Sequence, residues 1–151
     1  MTTVPTRLAG GGDGLRAGLR PVRRARPVQS LIEVSNESRI QLVPADETSV
    51  LWSDEAGSWA RLLCGTSTRE KLEFWSWSLA PKAEYSAKAH PHGTRELIWV
   101  MNGSLSVTTG SSETVASAGD CIIFEADHQH TYRNSGRRAC EFSMIVQLGV
   151  A

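Results

Sequence analysis

Short runs of β-branched and aromatic residues, separated by turn residues at close spacing, fill the chain after about residue 30. Such runs are typical of short antiparallel strands. No amphipathic segment of helical length lies between them, which disfavours a parallel α/β fold. We predict nine strands, at Arg39–Val43, Ser58–Cys64, Lys71–Leu79, Glu96–Met101, Ser104–Thr109, Thr114–Ala116, Cys121–Glu125, His130–Arg133 and Cys140–Leu148. The pattern therefore predicts an all-β domain, either a sandwich or a barrel.

Two local signals refine this prediction. Trp75, Trp77 and Leu79 occupy alternate positions of one strand, so they share one face of its sheet. We expect that face to pack in the core or against a partner sheet. The dipeptide Asn102-Gly103 tolerates positive φ at both residues and predicts a hairpin between the strands on either side.

The length of 151 residues suits one ordinary domain and is short for two. The longest uncharged apolar run, Leu97–Met101, is far below the roughly 20 residues that a bilayer crossing needs. No apolar segment follows the N-terminal arginines, so neither a secretory signal nor twin-arginine export is predicted. Three widely spaced cysteines, Cys64, Cys121 and Cys140, indicate reduced thiols in a cytoplasmic protein. Because each lies in an apolar run, we expect all three to be buried.

The net charge of zero hides an uneven distribution. Residues 1–30 contain six arginines and one acid, so residues 31–151 carry the opposite excess of five negative charges. A basic arm of this kind can contact nucleic acid. The arm is also rich in Gly, Ala and Pro, which favours a flexible, solvated tail without a core of its own. We predict a flexible basic arm at 1–30 and a β-barrel domain at 31–151.

All four histidines lie in two His-x-His pairs, at positions 90 and 92 and at positions 128 and 130. Residues i and i+2 of a strand point the same way, so His90 and His92 can reach one point inside a barrel. Glu96 has the same parity, and the intervening turn brings its carboxylate back towards that point. His130 is the candidate fourth donor from a distant strand. This constellation predicts a metal site.

The same parity argument assigns a pocket wall. Ile98, Phe124 and Tyr132 are expected to face the pocket. His128 shares parity with His130 but lies on a turn, and Arg133 offers a planar guanidinium that can bind a carboxylate. The residues of opposite parity, Leu97, Trp99 and Met101, are expected to face away from the metal.

These residues resemble the cupin superfamily. Its first motif, His-x-His, three residues, Glu, six residues, Gly, is matched without gaps from His90 to Gly103. Its second motif is matched at Gly119, His130 and Asn134. Glu125 and Asp127 stand where that motif usually has Pro and Gly. The resemblance covers roughly residues 38–148 and implies a single-domain cupin, a jelly-roll barrel or double-stranded β-helix.

The resemblance implies one divalent transition metal ion, held by His90, His92, Glu96 and His130. Three imidazoles and one carboxylate suit Fe, Mn, Ni, Co, Cu or Zn. An octahedral ion would keep two adjacent positions for water, a substrate or O₂. Because imidazole binds only when it is neutral, occupancy should fall below roughly pH 6. The alternative is a barrel that has lost its metal and keeps only a polar lining.

From Val50 onward the chain resembles more narrowly the C-terminal sensor domain of XRE-type helix-turn-helix transcriptional regulators. The runs that carry this likeness are Leu51-Trp52-Ser53, Ala60–Leu63, Glu73–Pro81 and Phe124–Asp127. In that family the cupin domain binds a small effector, and a separate helical domain binds DNA. Residues 1–35 are too short and too rich in Gly and Pro for such a domain, so no direct binding of nucleic acid is expected.

Two functional classes stay open on this resemblance. The first is a stand-alone sensor or regulatory module that binds a small organic ligand. The second is a mononuclear non-haem metal enzyme, such as a dioxygenase, epoxidase or isomerase. A homodimer is expected in either case, since barrel cupins often pair and the face of Trp75 and Trp77 needs cover.

Overall fold

The computed structural model describes residues 39–66 and 70–149, which fold as an all-β protein. The predicted arm at 1–30 lies outside the described residues. One turn of 3₁₀ helix at Ala45–Glu47 precedes the strands. The strands are β1 Ser49–Ser53, β2 Trp59–Gly65, β3 Leu72–Leu79, β4 Glu84–Ala87, β5 Arg95–Asn102, β6 Ser104–Thr109, β7 Ser112–Ser117, β8 Cys121–Glu125, β9 His130–Arg133 and β10 Cys140–Gln147. No helix among the described residues is long and apolar enough to cross a membrane.

The strands form two antiparallel sheets that pack face to face as a jelly roll. One sheet has six strands in the order β1-β2-β3-β10-β5-β8, and the other has four in the order β4-β9-β6-β7. Apolar side chains from the inner faces of both sheets meet in the core between them. The large buried members of this core include Trp77, Leu79, Ile98, Val100, Leu105, Tyr132, Phe142 and Met144.

Alternation along single strands is confirmed. In β5 every second residue from Glu96 to Val100 is buried, while Leu97, Trp99 and Met101 are exposed on the outer face as predicted. Trp77 is buried and stacks on Phe142 at 5.6 Å between ring centroids. The core of the chain itself therefore covers most of the tryptophan face of β3, and that face gives no reason for a second copy.

The predicted strand at Arg39–Val43 is wrong. Ile40 and Leu42 in this segment are 84% and 83% exposed, and the segment is not assigned to a strand. A β-prone run becomes a strand only where its pleated surface finds neighbours to pack against. The prediction also missed β1 and β4. The latter is only four residues long and is held by antiparallel pairing with β9, in which Tyr85 lies opposite Tyr132.

The turn at Asn102-Gly103 is a corner between sheets and not a hairpin. The strand before it, β5, belongs to the six-stranded sheet, and the strand after it, β6, belongs to the four-stranded sheet. Gly103 has a φ of +81°, and a Cβ there would lie 3.1 Å from the Ala139 carbonyl oxygen and from Cys140 Cα. Glycine is therefore needed for the close approach to β10 as well as for the turn.

The cysteine prediction holds for one residue of three. Cys140 is fully buried, and burial together with the nearby Glu141 raises the pKa of its thiol to about 11. Cys64 and Cys121 are exposed, contrary to the prediction. The physical reason is their register: they pair with Phe74 and Trp99, which lie on the outer face of the six-stranded sheet.

Asn134 links the end of β9 to the end of β3. Its side chain is fully buried, and Nδ2 donates to the carbonyls of Leu79 at 2.9 Å, Ala80 at 3.1 Å and Arg138 at 2.8 Å. Its Oδ1 accepts from the backbone N–H of Gly136 at 2.9 Å. One amide thus satisfies backbone groups of two segments that are distant in sequence.

We predict that Asn134→Ala lowers the free energy of unfolding by about 1–3 kcal/mol, because buried backbone carbonyls lose their donor. Chemical denaturation followed by circular dichroism measures the change. The matched control is Asn102, an exposed asparagine at the end of β5. The substitution Asn102→Ala should lower the free energy of unfolding far less. Equal losses in the two variants would contradict this role for Asn134.

Candidate metal centre

Three side chains converge at one end of the barrel interior. His90, Glu96 and His130 each offer a ligand atom, and these atoms lie within 4.8 Å of one another. Glu96 Oε1 is 3.1 Å from His90 Nε2 and 3.3 Å from His130 Nε2. The side chains of Glu96 and His130 are fully buried, whereas that of His90 is 34% exposed. The cluster is therefore reached from solvent on the His90 side.

The backbone around the cluster fixes these positions. Glu96 points inward from β5, two residues before the buried Ile98. His130 begins β9, where it lies opposite Ala87 of β4. The backbone N–H of His90 donates to the carbonyl of Ala126 at 2.9 Å, which ties the segment after β4 to the segment before β9.

The tautomer of His130 decides what the cluster can hold. His130 Nδ1 lies 2.8 Å from the carbonyl of His128, which can only accept, so Nδ1 carries a hydrogen. In neutral His130 the other nitrogen, Nε2, then presents a lone pair towards the Glu96 carboxylate. Neither His130 Nε2 nor Glu96 Oε1, both buried, has a hydrogen-bond partner among the described residues. Two facing acceptors of this kind require a cation between them, either a proton or a metal ion.

Electrostatics keep Glu96 ionised. Burial raises the pKa of this carboxyl, but the adjacent imidazoles of His130 and His90 and the hydroxyl of Tyr132 stabilise its charged form more than burial destabilises it, and lower the pKa to about 2. The Tyr132 hydroxyl donates to Glu96 Oε2. Burial and the nearby Glu96 charge hold the pKa of Tyr132 well above its ordinary value, so the phenol keeps its proton. Tyr132 thus occupies one carboxylate oxygen and leaves the other free to face the two histidines.

The pKa of His130 is also shifted. Burial lowers it, but the Glu96 carboxylate and the His128 carbonyl outweigh burial and raise the pKa above its ordinary value. A proton is therefore held more tightly on His130 than on a free histidine. Any ion that binds at Nε2 must displace that proton.

His92 is not brought into the cluster. Its side chain is 99% exposed, and its Nδ1 lies 2.8 Å from Asp127 Oδ2. The other oxygen of Asp127 accepts from His128 Nδ1 at 2.8 Å, and these two hydrogen bonds lower the pKa of Asp127. The parity argument fails here because His90 and His92 lie on a loop and a turn, not on a strand. Gly93, with a φ of +79°, turns the chain between His92 and Glu96.

A distant glycine fixes that turn. The backbone N–H of Gly149 donates to the buried Thr94 hydroxyl at 2.9 Å. A Cβ at position 149 would overlap the carbonyl of His92. The segment after β10 therefore packs directly on the turn that follows His90.

A cavity of about 510 Å³ adjoins the cluster. It is lined by His90 and Glu96 of the cluster and by Tyr132. Its walls are mainly apolar and aromatic, with a few polar groups. They are formed by Leu51, Trp52, Ala60, Glu73, Trp75, Trp77, Tyr85, Ser86, Ala87, Lys88, Ala89, His90, Glu96, Tyr132, Met144 and Val146. Such a combination is typical of small-molecule sites.

Of the predicted pocket residues, only Tyr132 lines this cavity. Ile98 is buried in the core, and Phe124 packs edge-on against His130 at 5.3 Å between ring centroids. Arg133 and His128 are exposed. The cavity lies further towards β1, β3 and β4 than the sequence indicated.

The aromatic residues that the sequence analysis missed are Trp52 and Tyr85, which meet at 4.7 Å between ring centroids. Both stand on strands that the prediction omitted, β1 and β4. The available signal was an aromatic residue followed by a serine in each case, which is too weak to place a residue on a cavity wall.

Solved structures share this architecture. The cupin domain of an XRE-family transcriptional regulator from Enterobacter cloacae matches with 25% identity and a TM-score of 0.50, covering 52% of this chain and 83% of that one. A Klebsiella pneumoniae protein with a double-stranded β-helix domain matches with 25% identity and a TM-score of 0.55, covering 76% and 94%. An HTH_3-family regulator from Vibrio cholerae matches with 20% identity and a TM-score of 0.51, covering 60% of this chain and 52% of that regulator.

No curated protein is similar enough in sequence to count as a match. The cupin domain family, Cupin_2, matches residues 75–146. That range holds the strands from β4 to β9 together with His90, Glu96 and His130. The family match over residues 75–146 and the two-sheet jelly roll together show that this chain has the cupin fold.

Proposed function

We propose that this chain binds one divalent transition metal ion through His90, Glu96 and His130, and a small organic ligand beside it, as a stand-alone sensor or regulatory module. The main support for the metal site is that the Nε2 lone pair of neutral His130 faces the Glu96 carboxylate, and both groups are buried. Two imidazoles and a carboxylate suit Fe, Mn, Ni, Zn or Cu.

We propose His92 as the fourth ligand, in a side-chain conformation different from the one in the structure. In the structure its imidazole bonds to Asp127 and points outward. To reach the ion it must leave that carboxylate and rotate inward across the turn at Gly93. Asp127 keeps His128 as a partner when this happens, so its negative charge is not left without a hydrogen bond.

The cavity supports the proposed ligand. A bound ion would supply a Lewis acid at one end, where the ligand needs an oxygen or nitrogen donor. The aromatic wall of Trp52, Trp77 and Tyr85 would pack against an apolar or aromatic body. Lys88 and Glu73 also line the cavity and would offer polar contacts to the ligand.

The regulator likeness supports a sensor. The Enterobacter cloacae domain is named as part of a transcriptional regulator, and this chain covers most of its length. A cytoplasmic location is proposed as well, because the three cysteines are free thiols.

The second candidate function is that of a metal-dependent oxidoreductase or isomerase. It is favoured by the same cluster, since an octahedral ion would keep two positions open for a substrate even with His92 as the fourth ligand.

We predict about one transition metal ion per chain after loading with Zn²⁺, Ni²⁺ or Mn²⁺, measured by elemental analysis. His130→Ala should weaken binding by at least ~10–100-fold, because it removes a metal ligand. His128→Asn is the matched control and should bind normally, since His128 is exposed and the asparagine amide can still donate to Asp127. No metal in the wild type, or an equal loss in both variants, would refute the site.

We predict that metal affinity falls as the pH is lowered, and that the fall begins above pH 6.5, the ordinary histidine value, because the pKa of His130 is raised. Below that point, each unit by which the pH is lowered should weaken metal affinity about tenfold, as long as one proton is displaced per ion. Glu96, with a pKa of about 2, stays ionised throughout and adds no slope. Zn²⁺ titrations between about pH 5.5 and pH 8 measure this. A constant affinity over that range would contradict it.

A panel of carboxylic and phenolic compounds distinguishes binder from enzyme. We predict quenching of tryptophan fluorescence by at least one compound in the metal-loaded chain, because the cavity wall contains three tryptophans. The signal should persist in Trp99→Phe, whose indole lies on the outer face. Product formation or O₂ uptake that disappears in folded Glu96→Ala would instead establish the enzyme. Binding without turnover supports the sensor.

A further inference from the structure

The inner face of the six-stranded sheet carries a second carboxylate besides that of Glu96. Glu73 of β3 shares its face with Trp75 and Trp77 and lines the cavity. Val146 of β10 is the ladder partner of both Glu73 and Glu96, so the two acids stand on one level of the sheet with a single strand between them. Neighbouring strands lie about 4.8 Å apart, which places the backbones of these two acids about 10 Å apart.

Glu73 is fixed in position, but its charge is not matched. Trp75 Nε1 donates to Glu73 Oε2 at 3.0 Å, which holds the half-buried carboxylate against the aromatic wall. Within the described part of the chain no lysine or arginine forms an ion pair with it, and Lys88, which also lines the cavity, is exposed. A carboxylate that has lost part of its water is stabilised when a group of opposite charge replaces that water. The other oxygen, Oε1, is therefore available to a cation from outside the chain.

The surroundings of Glu73 suit an organic cation better than a metal ion. The one group of three candidate metal ligands among the described residues does not include Glu73. Aromatic rings attract cations through their faces, and Trp75, which donates to Glu73, lies 6.3 Å from Trp77 between ring centroids. An ammonium group can donate N–H to a carboxylate oxygen while its carbon atoms pack against such rings.

We propose that the organic ligand of the cavity carries an ammonium group that binds Glu73, and that a carboxylate at its other end binds the metal ion. This inference rests on the proposed function, because the ion held by Glu96 anchors the carboxylate end. The separation of about 10 Å between the two positions suits an extended chain. Its methylene groups would pack on the rings of Trp52 and Tyr85. The ligand class is therefore an ω-amino acid, with the amine at the end of the chain opposite the carboxylate.

Two pairs of compounds test the proposal on the full, metal-loaded chain by isothermal titration calorimetry. The pairs are γ-aminobutyrate with butyrate and ε-aminocaproate with caproate, and each differs in the amine at the far end. An α-amino acid is unsuitable, since it would chelate the ion whether or not Glu73 takes part. We expect at least one amino compound to bind roughly tenfold or more tightly than its partner, because a hydrogen bond between charged groups is among the stronger ones.

The possible results separate this inference from the proposed function. Binding of the plain carboxylates with no gain from the amine overturns the inference and leaves the metal-anchored ligand supported. Absence of binding by all four compounds also overturns it, and the panel of carboxylic and phenolic compounds then decides separately whether the cavity takes a ligand.

A substitution locates the ammonium site. Glu73→Gln removes the charge but keeps an amide oxygen for Trp75 Nε1, and we expect it to abolish the preference for the amino compound. The matched control is Glu84→Gln, an exposed position on β4, which should retain the preference. A preference that persists in folded Glu73→Gln overturns the proposal. The comparison of compounds on the wild type needs no variant, so it decides the proposal if Glu73→Gln does not fold.

Discussion

A carboxylate buried between two imidazoles governs the candidate site. Glu96 has left water completely, and it stays ionised because His90, His130 and Tyr132 surround it. One interaction in this arrangement is unfavourable. When His130 is neutral, the lone pair of its Nε2 faces the negative charge of Glu96. A buried charge is tolerated when a partner of opposite sign completes it. The barrel end is therefore shaped for a cation, and a proton and the proposed metal ion would compete for it.

Local periodicity explains what the sequence could predict. Glu96 and Ile98 alternate with exposed neighbours along β5, and that alternation needs only the two-residue repeat of a strand. His130 stands at a strand start, where the same repeat holds. The all-β class and the strands that follow the pattern were accessible for this reason. So was the convergence of Glu96 with His130, once the two motifs were placed on one barrel.

Non-local contacts decide the rest. The direction of His92 depends on the turn at Gly93 and on Asp127, which lies beside it only in the folded chain. The position of the cavity depends on Trp52 and Tyr85, whose strands are short and held by pairing partners. The sequence at Asn102-Gly103 predicts a tight turn, but it does not determine which sheet the next strand joins. In the structure β5 and β6 belong to different sheets, so the turn is a corner and not a hairpin.

The contact of Gly149 with the His92 carbonyl extends the determinants of the proposed metal centre beyond both histidine motifs. A side chain of any size at position 149 would push against the backbone of the turn after His90. Variation at position 149 would change the geometry of the candidate ligands while every one of those residues was retained. A search for working relatives by ligand residues alone would accept chains with an altered centre, and a designer who transplants this site must carry the strand end with it.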